Sequence, residues 1–272
     1  MVDSIAGRSL SELFKEYAEA VADLRSRLSD APAEETDQQL LRLVLADYGK
    51  VDVAEAKARQ GRLDRKKYAP VLEKAKLGQR LPQESKVREH LCFGRWHYPG
   101  AQADAKNFPP LLVTRSGLCN AQALMASVTV EEIAEYFLWE RQVAFIEVCK
   151  TSQETDKLVL MVSVNDLDGA SIITGREPKF FEAVKLSSET SAGLFPLLTR
   201  KHVMVNSGFL LDTLYRVVSV IMPQRVLDKV AFMSCEEFIE AFTSSGIPAA
   251  SLPVFLGGSC AIPSESPLSA KA

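Results

Sequence analysis

His90, Cys92 and His97 form the tightest group of metal-ligating side chains in the sequence. A zinc centre needs four ligands, or three and an open position for water. No fourth ligand falls at a fitting spacing, so a structural or surface role is the better account of the three, and no metal is expected. The five cysteines (Cys92, Cys119, Cys149, Cys235, Cys260) are odd in number, widely spaced and without a Cys-x-x-Cys pair. That pattern predicts reduced thiols rather than a disulfide framework or a zinc ribbon. Catalysis by a nucleophile, a base and an orienting acid has little to draw on: there are three histidines, and no Gly-x-Ser-x-Gly elbow, P-loop or Gly-x-Gly-x-x-Gly turn. Neither an enzyme nor a cofactor is expected.

Binding chemistry is better represented. In the apolar run LVLMVSVND, Ser163 and Asn165 share one face with Val159 and Met161. A parallel strand buried on both faces should stay apolar throughout. A face that turns polar toward its C-terminal end is either the wall of a cavity, greasy at depth and polar near a headgroup, or a strand end whose Ser and Asn are satisfied by loop backbone. The run FLLDTLYRVVSVI offers polar groups only at Asp212, Thr213, Arg216 and Ser219. It is either a core helix clamped on both sides or a lid whose outer face meets lipid. Gly208 before it and Pro223 after it would then serve as hinges, and both are also ordinary boundary residues.

The elements that must position these residues alternate between strand and helix over the C-terminal two-thirds. Leu111 to Thr114 and Lys157 to Asp166 read as strands, with a long helix between them capped by Thr129 and Glu132 and running to about Lys150. A helix from Pro178 to Leu198, strands at Val203–Val205 and Val230–Met233, and a helix capped by Ser234 and Glu237 follow. Such alternation predicts an α/β fold with a mainly parallel sheet and right-handed crossovers. Before it, Ser9 with Glu12 and Thr36 with Gln39 start helices, Val53 to Gln60 is a third, and Phe93 to Pro109 reads as a connection. The expected organisation is a helical subdomain over 1–85, a ligand-binding domain over 86–260 and a disordered Ser/Pro/Ala-rich tail over 261–272.

With 47% hydrophobic and 25% charged residues the 272-residue chain has material for a large core. Thirty-two basic against 35 acidic residues, a net charge of −3, argue against nucleic acid as a partner. No run is long and apolar enough to span a bilayer, and charges throughout Met1 to Ala31 replace a secretory core. A soluble cytoplasmic protein is expected. The basic stretch RLDRKK at Arg62 to Lys67, with Lys74, Lys76 and Arg80, is either a solvated helix face or a contact for anionic headgroups.

From about Pro110 to Gly258 the chain resembles the CRAL-TRIO (Sec-fourteen-type) lipid-binding family. The resemblance runs through Trp139-Glu140, VSVNDLDGAS, FPLLTRKHVMVNSGFLLDTLYRVVSVIMPQRVLDKVAFM and LPVFLGG. Asp166, Leu167 and Gly169 match the family's Asp-Leu-x-Gly turn, and Phe195-Pro196 its Tyr-Pro pair. Asn206 matches the Asn that closes its next strand, and Leu252, Pro253, Gly257 and Gly258 match its closing motif. LLRLVLADYGKVDVAEAKA is similar to its helical lead-in.

This likeness implies a sheet and helices enclosing one hydrophobic lipid cavity, with Phe209 to Ile221 as a gate. A diacyl lipid has on the order of thirty methylenes, each worth ~0.8 kcal/mol of burial, so only a closed apolar pocket lets it leave a membrane readily. The implied ligand-binding residues are Leu112, Met161, Ser163, Asn165, Leu197, Phe209, Leu210, Leu214, Val217, Val218, Ile221 and Lys229, with Gly208 and Pro223 as gate hinges. In phosphatidylinositol-binding members a Lys stands at the position of Lys229, an acidic residue at that of Leu197 and a Tyr at that of Leu112. Phosphate contacts from Lys229, Arg225 or Lys50 compete with the reading that these are solvated surface charges. The resemblance implies a phospholipid carrier that visits membrane surfaces transiently. The alternative is a module that holds an isoprenoid, retinoid-like or sterol-like ligand, or presents lipid to a protein partner, without transferring it.

Overall fold

The computed structural model describes residues 2–30, 35–98, 108–170, 177–208 and 224–269. Its helices are α1 (Val2–Ile5), α2 (Leu10–Glu16), α3 (Ala18–Arg27), α4 (Asp37–Ala46), α5 (Val51–Lys67), α6 (Ala69–Lys76), α7 (Glu84–His90), α8 (Ala121–Ser127), α9 (Val130–Thr155), α10 (Pro178–Leu194), α11 (Gln224–Leu227) and α12 (Cys235–Ser244). The strands are β1 (Phe93–Trp96), β2 (Leu111–Arg115), β3 (Met161–Asp166), β4 (Thr199–Val205) and β5 (Val230–Met233). They lie side by side in the order β1-β2-β3-β4-β5. β1 is antiparallel to β2, while β2–β3 and β4–β5 are parallel, so the α/β class and the mainly parallel sheet are as expected.

Local signals account for many helix starts. Thr36–Gln39 and Ser234–Glu237 form reciprocal capping boxes, and Thr129 and Glu132 exchange the same pair of bonds ahead of α9. Other boundaries differ from the expected ones. The helical run from Leu10 to Leu28 is broken at Tyr17, whose φ of −107° separates α2 from α3. The third helix is longer than Val53–Gln60, because Ala54, Ala58, Gly61 and Arg62 continue one buried stripe. The stretch read as a connection contains β1, and α8 was not foreseen. Lys157 to Leu160 lies outside the β3 ladder, and Lys157 instead bridges Ser9.

The chain divides into two interleaved compact units. The first comprises residues 1–81, 137–160 and 186–200, and its core includes Leu13, Leu24, Leu41, Val44, Leu158, Leu160 and Leu197. Arg62, one of the basic cluster, is buried here against Glu35 at 2.8 Å and the Leu28 carbonyl at 3.2 Å, so it does not belong to a solvated face.

The second unit holds most of the sheet. One face of that sheet is closed. Leu111, Val113, Val162, Val164, Val203 and Val205 pack with Trp96 under Phe238, Ile247, Leu252 and Leu256. Phe238 stacks on Phe242 with ring centroids 4.3 Å apart. Leu268 belongs to the same core and is fully buried. The expectation of a disordered tail is therefore corrected for residues 261–269. A Ser/Pro/Ala-rich composition hides one leucine that the β1 edge of the core buries, and arginines hold its carbonyl and that of Glu265.

Candidate functional site

Side chains alternate across a strand, so the residues between those closed-face valines point to the other side of the sheet. The register pairs Leu112 with Ser163 and Thr114 with Asn165. It also pairs Arg95 with Leu112, His202 with Val230, and Met204 with Phe232. The two faces differ sharply in exposure. Val162, Val164, Val203 and Val205 are between 0% and 5% exposed, whereas Ser163, Asn165, His202, Met204, Val230 and Phe232 are only half-buried. Parallel strands are ordinarily covered on both sides. The incompletely covered face is the candidate site.

Its chemistry is graded. Leu112 and Met161 are buried, and toward the C-terminal ends of β2 and β3 they give way to Thr114, Ser163 and Asn165. At the β1 edge Phe93 meets Tyr136 of α9 edge to face, at 6.2 Å. Arg95, Arg200 and His202 are the basic residues among the strand residues of this face, and no carboxylate stands among them. The arrangement suits an apolar body with a neutral or anionic polar end.

The structure thus brings together Leu112, Met161, Ser163 and Asn165. Lys229 stands at the entry to β5, two strands away from β3, where its carbonyl accepts the His202 N–H at 2.9 Å. Leu197 lies in the first unit, buried in the helical core, with φ +51° and its carbonyl accepting from Arg42 at 3.0 Å. Gly208 is exposed with φ +48°, and nothing lies within 4 Å of where a Cβ would be, so backbone conformation rather than packing favours glycine there. Phe209, Leu210, Leu214, Val217, Val218, Ile221 and Pro223 lie outside the described residues. Sequence reasoning missed Arg95, His202, Met204 and Phe232. Extending the alternation of β4 one residue to either side of Val203 would have found His202 and Met204.

The motif residues prove to be clamps at the ends of the strands. The Asp166 carboxylate accepts from the Asp168 N–H at 3.1 Å and from Asn206 Nδ2 at 2.8 Å, and lies 3.6 Å from Arg115 Nε. The Leu167 N–H donates to the Val205 carbonyl, tying β3 to β4. A Cβ on Gly117 would stand 1.9 Å from the Asp168 carbonyl oxygen, so the turn packs directly on backbone. In the closing motif, a Cβ on Gly258 would stand 2.1 Å from the Leu252 oxygen. These residues hold the sheet's C-terminal rim and leave its half-covered face to other side chains.

The sequence's metal candidates do not converge. Cys92 donates its N–H to the sulfur of Cys119 at 3.4 Å, His97 is exposed, and among the described residues no group of three or more His, Cys, Asp or Glu could hold a metal. Burial pushes the Cys119 thiol up to about 12, which makes it an inert structural sulfur.

Against known proteins, the model of the CRAL/TRIO domain matches residues 104–258. Among solved structures, the crystal structure of Sfh5 matches with a TM-score of 0.54 at 15% identity, covering 82% of this chain and 79% of that one. At that identity the likeness concerns the fold alone. Comparison with curated proteins finds no match.

Proposed function

The chain belongs to the CRAL/TRIO domain family, a family of lipid-binding domains, and from that premise we propose that it carries one phospholipid at a time between membranes without catalysing a reaction on it. The observation that carries the proposal is the unequal sheet, sealed on one side and, on the other, lined by the half-buried Met204, Phe232, Ser163 and Asn165 around the buried Met161. An acyl chain lying on the apolar part would complete its burial, and the hydroxyl and amide groups would meet the polar end. Arg95 adds positive charge suited to a phosphate. Among the described residues no helix is long and apolar enough to cross a membrane. Contact with the bilayer is therefore proposed as peripheral and transient, with the segment 209–221 as the gate on the strength of its sequence.

The test is mass spectrometry of an organic extract of the purified protein, followed by transfer of labelled phospholipid between vesicles. One lipid per chain and catalysed transfer are the expected results. Met204→Trp should lower lipid occupancy while leaving the unfolding temperature nearly unchanged. An extract free of lipid, together with no uptake from vesicles, would defeat the proposal. Binding without transfer would instead identify a holding or presenting module.

A further inference from the structure

The sequence contains one Ser-Pro pair, Ser266-Pro267, and no Thr-Pro pair. The structure places that pair in the strap formed by residues 261–269. Leu268 anchors the strap in the closed-face core, and Pro267 packs against Gly94 of β1, where a Cβ would come within 2.6 Å of it. Ser266 sits half-buried between these anchors and the exposed Ser264, with its hydroxyl accepting the Leu268 N–H at 3.2 Å.

Two guanidinium groups flank this turn. Arg88 donates to the Glu265 carbonyl at 3.0 Å and holds Glu84 at 3.1 Å. Arg115 donates to the Leu268 carbonyl at 3.0 Å, while its Nε makes no hydrogen bond and lies 3.6 Å from Asp166. Both arginines thus spend donors on neutral carbonyl oxygens on either side of one serine. A phosphate there would be a far stronger acceptor for them.

We propose that Ser266 is a phosphorylation site for a proline-directed kinase, and that the phosphoserine, held by Arg88 and Arg115, fastens the strap to the sheet edge. In the transfer, the Ser266 Oγ–phosphorus bond forms as the bond between the γ-phosphorus of ATP and its bridging oxygen breaks. ADP leaves and the hydroxyl proton is released. A kinase takes its substrate extended, so modification captures the strap during local opening, when Leu268 has left the core. On return, the phosphate meets the two arginines and opening becomes rarer.

The experiment treats the full chain with Mg-ATP and a proline-directed serine/threonine kinase, then maps phosphate by mass spectrometry and follows trimming by a carboxypeptidase past Leu268. Phosphate is expected at Ser266 and not at Ser264, with trimming slowed roughly three- to tenfold. Ser266→Ala should take up none. Arg88→Gln should be phosphorylated yet trimmed at nearly the unmodified rate, which separates fastening from blockage of the protease by the phosphate itself. No phosphate at Ser266, trimming that is unchanged or faster after modification, or equal protection in Arg88→Gln would each overturn the proposal.

Discussion

Arg42 is fully buried, in the middle of the apolar run LLRLVL. Its guanidinium donates to the carbonyls of Leu197 and Val159 at 3.0 and 2.9 Å and to Ser152 Oγ at 3.1 Å, with Phe145 beneath it at 5.7 Å. Burial lowers its pKa, and Nε has no hydrogen-bond partner. It joins α4 to the segment before β3 and to the turn at Leu197, whose left-handed φ needs an external hold. Arg42→Met should cost about 2–4 kcal/mol in urea unfolding, because two carbonyls lose their donor. Arg42→Lys should recover little of that, since a single ammonium does not span three acceptors. Asp156, also left-handed at φ +50°, accepts from Ser9 Oγ, Ser11 Oγ and Ser11 N, and the two side-chain bonds do most to hold its carboxyl below the usual range. A depressed folded-state pKa stabilises fully above the unfolded value of about 4 and is lost as pH falls through the folded value. Asp156→Asn tolerates the same backbone. It should be less stable than the wild type at pH 7, and the two should converge in urea midpoints as pH falls through the depressed folded-state value.

Helices α5 and α10 cross backbone to backbone. A Cβ on Gly61 would stand 2.5 Å from the Gly193 carbonyl oxygen, and one on Gly193 would stand 2.6 Å from the Lys57 oxygen. Alanine at a helix interior gains up to ~1 kcal/mol over glycine in propensity. Separating two helix backbones costs typically ~1–3 kcal/mol. The clash is against backbone rather than a flexible side-chain end, so the second effect should win. Gly61→Ala is expected to lower the thermal midpoint, and an unchanged or raised midpoint would show that the crossing yields. The same scale explains which elements were legible. α4 and α12 carry capping boxes and clear apolar stripes. β1, four residues reading FGRW, has no alternation to display, and its pairing with β2 comes from across an intervening segment.

At the scale of the whole molecule, selectivity is the open variable of the proposed carrier. The resemblance sets Leu197 at the position of the acidic residue of the family's inositol-binding members, and Leu197, in an apolar core, offers a sugar hydroxyl no side-chain acceptor. A missing partner for a buried hydroxyl is worth about 1–3 kcal/mol. Phosphatidylinositol and phosphatidylcholine are therefore expected to compete for the protein within about tenfold of one another. A preference for inositol beyond a hundredfold in competition binding would contradict this. Leu197→Glu is a poor test, because a carboxylate there enters the packed core rather than solvent.

The strand–helix alternation, the capping boxes and the face shared by Met161, Ser163 and Asn165 were all readable along the chain, because each is set by neighbours within one or two turns or one pleat. The motif residues were readable as a family signature, while their work as clamps was not. Asp166 meets Asn206 forty positions away, and Gly117 meets the turn at Asp168. The place of Leu197, the role of Arg42, the arrival of His202 and Met204 beside β3 with Phe232 one strand further, and the burial of Leu268 were decided only in three dimensions. Each depends on which distant backbone or side chain occupies the neighbouring space, and a periodicity along the chain carries no record of that.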